Sequence, residues 1–263
     1  DAGRYFLRKQ KWSEGASQEE LIAIAVRSLG LSELKPFEPM DKVIELKIES
    51  ANPKPSLVKM SLREFCNETL SDSPAPGGGS VAALLGALGA SLGGMVANLS
   101  AGKRGWDEKL QYFSEWAVKA QQLKDELLFL VDEDTAAFKK VIDAFALPKG
   151  SDEEKSARFS AIEAANKYAA EVPLRVMETA ARSYAVLADM AQNGNPASIS
   201  DVGVGALATR ACINGAALNV RINLAQLKDE KAKSVLLKKA QQIATESDAQ
   251  FKKIQQAVEA KLA

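Results

Sequence analysis

The segment "KDELLFLVDEDTAAFKKVIDAF", residues 124–145, sets an acid where an apolar residue belongs. Leu123, Leu127, Leu130, Val131, Phe138 and Val141 recur at helical spacing and form one apolar stripe. Asp134 falls on that stripe, seven residues after Leu127 and four before Phe138. Asp132 lies roughly 200° round the same helix and can face water. A carboxylate on a core face is costly unless partnered, and its pKa moves. Three roles compete for Asp134: an ion pair with a base from another helix, a cap on a neighbouring helix, or a general base in a pocket.

The chain contains no histidine. Ser-His-Asp and Cys-His catalysis are excluded, and any proton transfer falls to Asp, Glu, Lys, Tyr or Cys. Cys66 and Cys212 are far apart and form no motif, so no zinc site is expected and a reducing, cytoplasmic setting fits. Lys plus Arg equals Asp plus Glu at 34 each, which gives no electrostatic case for nucleic acid or an anionic membrane.

A second candidate is "SPAPGGGSVAALLGALGASLGGMVANLS", which runs from Ser73 to Ser100 without a charge. Its length allows a membrane span, but its Ala, Gly and Ser content favours a central bundle helix. Gly86, Gly89 and Gly93 share one face, where another helix can approach closely. Leu85, Leu88, Leu92, Met95 and Leu99 share the next face and are expected to fill the core. Gly77, Gly78, Gly79 and Ser80 stand at the helix start. They read either as a plain helix-start loop or as an exposed row of N–H groups for an anion or a polar ring. A P-loop lacks its lysine here, and no strand precedes the glycines as a dinucleotide fingerprint requires.

A third is "TRACINGAALNVRINLAQL". Asn219 and Asn223 form an i, i+4 pair; Arg210, Asn214 and Arg221 share another face. Asparagine is a mediocre helix residue, so these side chains either bond between helices or reach a ligand. Lys103 and Arg104, after the uncharged helix, suit its C-terminal dipole or the carboxylates of a ligand.

Long helices must position these groups. Ser17 with Glu20, Ser61 with Glu64, and Ser151 with Glu154 are three capping boxes. Helices are expected near Gly3–Trp12, Gln18–Leu29, Pro39–Lys47, Leu62–Leu70, Gly79–Ala101, Asp107–Ala146, Asp152–Ala170, Pro173–Gln192, Ser200–Leu227 and Glu230–Leu262. "DKVIELKIES" is the one passable strand. The prolines of "ESANPKPSLVKM" make residues 49–60 a linker. The expected fold is all-α: an up-and-down-like helical bundle around the Gly/Ala-rich helix, with a short, mostly helical N-terminal arm.

The ordered set "PAPGGGSVAALLGALGASLGGMVANL", "LVDEDTAAFKKVIDAFALPKGSDEEKSAR", "VPL" and "NVRINL" resembles the cyclodeaminase domain of formimidoyltransferase-cyclodeaminases, from Ser61 to the C-terminus. Residues 1–48 resemble the end of the transferase domain of the same family. The transferase body is missing, so no transferase activity is expected. The resemblance implies closure of 5-formimidoyltetrahydrofolate to 5,10-methenyltetrahydrofolate with loss of ammonia, in one-carbon metabolism and histidine degradation. It puts the catalytic carboxylate on Asp134. It also implies a homo-oligomer of at least two chains, a folate substrate with a polyglutamate tail, and no metal or other cofactor. Gly77, Gly78, Gly79 and Ser80 would form a wall for the folate. Lys103 and Arg104 would hold its glutamates, and Asn219 or Asn223 its pterin. Two alternatives stand: methenyltetrahydrofolate cyclohydrolase on the same fold, and a non-catalytic assembly module that uses the glycine-striped helix as its interface.

Overall fold

Serine hydroxyls start three of the helices. Ser17, Ser61 and Ser151 each accept from the N–H three residues on, and Glu20, Glu64 and Glu154 reach back to the cap N–H. The computed structural model describes residues 1–44, 46–47 and 56–263. Within them lie α1 (Ala2–Lys9), α2 (Gln18–Ser28), the single turns α3 (Leu31–Leu34) and α4 (Pro39–Lys42), and α5 (Leu62–Leu70). The bundle helices follow: α6 (Gly78–Ala101), α7 (Leu110–Phe145), α8 (Asp152–Asn193), α9 (Ile199–Leu224) and α10 (Glu230–Leu262). Among the described residues there is no strand. Residues 45 and 48–50 of the strand candidate, and 49–55 of the linker, lie outside the described residues.

Helix α6 packs against α7, α8 and α9, and α10 covers α8 and α9 from outside. Such close surroundings demand small side chains. A methyl on Gly86 would meet Cys212 Sγ at 2.7 Å, and one on Gly93 would meet Val186 at 3.1 Å. Gly89 lies against Thr209 and the Gly205 carbonyl. The glycine stripe is therefore spent inside the chain. Three of the five large residues expected in the core, Leu88, Met95 and Leu99, are exposed, because Gly and Ala fill the sides that neighbouring helices occupy, whereas Leu85 and Leu92 are half-buried. α6 is long and apolar enough to cross a membrane by length and composition, and it packs against three neighbouring helices of the bundle.

One expected break is absent. α8 runs unbroken for 42 residues with Pro173 inside it. Proline has no N–H, so the Ala169 carbonyl one turn earlier loses its helical donor. Asn223 Nδ2 of α9 donates to that carbonyl at 2.6 Å. A side chain from the neighbouring helix thus replaces the missing bond, and the fully buried Val172 and Leu174 hold the helix together by packing.

The N-terminal arm is latched to the bundle. Ser13 Oγ donates to Asn98 Oδ1 at 2.5 Å, Asn98 Nδ2 donates to the Gly15 carbonyl at 3.2 Å, and the Glu14 N–H donates to Ser114 Oγ at 2.8 Å. Arg8 grips the buried Glu14 carboxylate through two N–H groups at 2.8 and 2.9 Å and holds its pKa below the usual carboxylate range.

Candidate active site

Asp134 sits on α7 where that helix crosses the start of α6. Its neighbours Leu127, Leu130 and Val131 are fully buried and fix the register. Gly77 is the N-cap of α6, and its backbone offers no side-chain cap. The Asp134 carboxylate takes that place: Ser80 Oγ donates to Oδ2 at 3.0 Å, and the Ser80 N–H also reaches the carboxylate. A methyl on Gly79 would overlap Oδ1, so the carboxylate reaches the helix start only because residue 79 has no side chain. Burial raises the Asp134 pKa above the ordinary aspartate value of 3.8, and the Ser80 hydroxyl and N–H partly oppose it. Among the described residues no Arg or Lys pairs with Asp134.

The carboxylate opens on a cavity of about 300 Å³. Its walls are Pro74, Ala75 and the three glycines of the loop and α6 start, Asp134 with Phe138 and its α7 neighbours, Asn166 and Ala169 from α8, Asn219 and Asn223 from α9, and Gln226 just past it. Among the described residues Asp134 is the one ionisable group on these walls. One flat apolar ring, Phe138, stands beside it. It belongs to the expected core stripe, yet it is 46% exposed, because it lines the cavity mouth instead of the core. A groove of about 390 Å³ between α6 and α7, beside Gly15 and Asn98, has no carboxylate and lies away from Asp134.

Residues 61–242 match the Formiminotransferase-cyclodeaminase family, and residues 1–49 match the Formiminotransferase domain. The chain belongs to the formiminotransferase-cyclodeaminase family. It is 36% identical over 230 residues to the formimidoyltransferase-cyclodeaminase of Rattus norvegicus, covering 88% of this chain and 42% of that one. Against the Sus scrofa protein of the same name, identity is 33% over 263 residues, covering 100% and 48%. The chain thus spans about half the length of these relatives. It is 35% identical over 202 residues to a methenyltetrahydrofolate cyclohydrolase of Methylorubrum extorquens, covering 77% of this chain and 97% of that one. The crystal structure of formiminotetrahydrofolate cyclodeaminase from Thermotoga maritima superposes with a TM-score of 0.69 at 28% identity, covering 79% of this chain and all of that one.

Within this formiminotransferase-cyclodeaminase bundle, the candidate residues divide. Gly77, Gly78, Gly79, Asp134, Asn219 and Asn223 come together on one cavity. Ser80 does not meet the cavity: it is fully buried and acts on Asp134, so its expected contact with the ligand is replaced by a positioning role. Lys103 and Arg104 lie beyond the other end of α6, roughly 36 Å along the helix from the glycines. Lys103 Nζ sits 4.1 Å over the Trp106 ring. Within one chain they do not reach the cavity. Asp132 also departs from expectation. It accepts from Ser56 Oγ at 2.7 Å and from the Leu57 N–H at 2.6 Å, because the segment entering the bundle needs an acceptor there. Arg210 pairs with Asp248 at 3.1 Å and stacks on Phe251, which makes it a tie between α9 and α10.

Sequence reasoning missed Asn166, Thr135 and Gln226. Asn166 did carry a signal: an asparagine in the alanine-rich "AIEAANKYAAEV", seven residues before Pro173 on the same helix face.

Proposed function

We propose that this cavity closes 5-formimidoyltetrahydrofolate to 5,10-methenyltetrahydrofolate and releases ammonia. The observation that carries the reading is Asp134: a partly buried carboxylate with no basic partner among the described residues, aimed into a cavity that three asparagines line and held by Ser80. The formimidoyl group, an amidine, carries a proton at neutral pH, and an anionic acceptor suits it. N10 attacks the formimidoyl carbon and forms the new C–N bond. Asp134 takes the N10 proton and passes it to the former imino nitrogen. That nitrogen leaves as ammonia, and the C–N bond breaks to give the methenyl cation shared by N5 and N10. Gly77, Gly78 and Gly79 form a wall without side chains for the ring system, and Asn219 and Asn223 orient the pterin. No metal or other cofactor is needed in this scheme. Among the described residues the cavity walls carry no cation to hold a polyglutamate tail.

The residues 1–48 segment, with no histidine, is not expected to transfer the formimidoyl group by itself. Two unpaired cysteines fit a reducing cytoplasm. The chain acts as a homo-oligomer. Leu88, Met95 and Leu99 of α6 and Val204, Leu207, Leu218 and Ile222 of α9 lie on outward faces of two adjacent helices, all exposed. α6 carries no charge, so a second copy of the same face is the fitting cover.

A second reading has its own support: similarity to the Methylorubrum extorquens cyclohydrolase spans 97% of that protein. There water adds to the same carbon and the same carboxylate takes its proton. The test is to assay one preparation with 5-formimidoyltetrahydrofolate and with 5,10-methenyltetrahydrofolate. Faster ring closure supports the cyclodeaminase; hydrolysis alone overturns it.

A further inference from the structure

We infer that Asn166 reads the 2-amino group of the pterin and so fixes which way the ring lies in the cavity; this rests on the folate reading above. Asn166 is only 4% exposed, yet it lines the cavity. Its Nδ2 donates to the Gln226 carbonyl at 3.3 Å, just past the end of α9, where helical donors have run out. That bond fixes the carboxamide's orientation and leaves Oδ1 as a bare acceptor. Asn219 Nδ2 is likewise committed to the Gly215 carbonyl at 2.9 Å, and Asn223 Nδ2 to Ala169. Each of the three carboxamides thus keeps Oδ1 as an acceptor beside one further N–H, and Asp134 adds its carboxylate. At the Asn166 end the bare acceptor is Oδ1, and it selects a donor on the ligand edge that reaches it.

Position assigns the edge. Asn219 lies beside Gly78, next to the Gly79–Asp134 contact, whereas Asn166 bonds Gln226 seven residues further along the chain. The two ends of the cavity are thus about 10 Å apart along α9. The reacting N5 and the 2-amino group occupy opposite edges of a rigid bicycle. With N5 at Asp134, the 2-amino N–H groups fall at the Asn166 end, where Oδ1 accepts.

The test measures binding by calorimetry with 5-formyltetrahydrofolate, whose formyl group mimics the formimidoyl group, and with the same ligand bearing methyl in place of the 2-amino group. Wild type is expected to prefer the amino ligand by about tenfold or more. Asn166→Ala is expected to lose that preference while binding the methyl ligand as wild type does. Asn166→Asp, protonated in this buried place, can donate its O–H to the Gln226 carbonyl, keeps an acceptor, and is expected to keep the preference. Equal loss for both ligands in both variants would show a structural role only and overturn the inference, as would a preference that survives Asn166→Ala. Should Asn166→Ala fail to fold, wild type and Asn166→Asp decide, and absence of preference in both overturns it. Failure of wild type to bind either ligand would instead remove the folate reading itself.

Discussion

Asp134 and Gly79 behave as one device. Sequence periodicity reached the acid, because an aspartate on an apolar stripe is visible without coordinates. The glycines were visible as an oddity, but nothing local says which of the three matters. Only the crossing of α7 over the start of α6 shows that Gly79 is the one against the carboxylate, while a methyl on Gly77 would meet nothing nearer than the Pro74 carbonyl at 3.9 Å. Gly79→Ala should displace Asp134, lower turnover by about 100-fold and cost about 1–3 kcal/mol of stability. Gly77→Ala should leave stability within about 0.5 kcal/mol, since the added methyl meets no protein atom closer than 3.9 Å. Steady-state kinetics and thermal melts check the pair. The raised pKa of Asp134 has a signed consequence. The fold favours the protonated acid, so its contribution to stability is full below 3.8 and is lost as pH rises through the raised folded value. Asp134→Asn should therefore gain in melting temperature relative to wild type as pH rises across that window, with little difference below it. A difference independent of pH would contradict the burial account.

At the scale of elements, caps and composition made most of the helices legible, and α10 was placed at its observed ends, Glu230–Leu262. Two readings failed for tertiary reasons. The proline rule placed a break before Pro173, and a side chain from α9, distant in sequence, repairs the helix there. The leucines of α6 were assigned to the core because hydrophobicity alone does not say which sides of a helix have neighbours. The Pro173–Asn223 pairing makes a coupling prediction. Asn223→Ala should cost about 1–3 kcal/mol in wild type, by leaving the Ala169 carbonyl unpaired. In a Pro173→Ala background residue 173 regains an N–H, and the same substitution should cost much less. A double-mutant cycle by denaturant unfolding measures the difference; equal costs in both backgrounds would refute the repair.

Across the whole molecule, the α6–α9 pair serves two ends. One side of it packs the bundle and brings the start of α6 and the end of α9 to one cavity; the outward side is apolar and uncovered. Combining Leu88→Lys with Leu207→Lys should shift sedimentation to the single-chain value, whereas an unchanged oligomer would move the interface elsewhere. Membership of the family was legible as an ordered set of motifs. Lys103 and Arg104 follow the glycine helix in the sequence, and a continuous helix of that length already sets them about 36 Å from its start. The account turns on whether Asp134 moves the proton. The direct measurement is the rate of 5,10-methenyltetrahydrofolate formation, followed by absorbance, from 5-formimidoyltetrahydrofolate with wild type and with Asp134→Asn of equal helicity by circular dichroism. Wild type should turn over and the variant should be slower by about 100- to 10,000-fold; equal rates would contradict it.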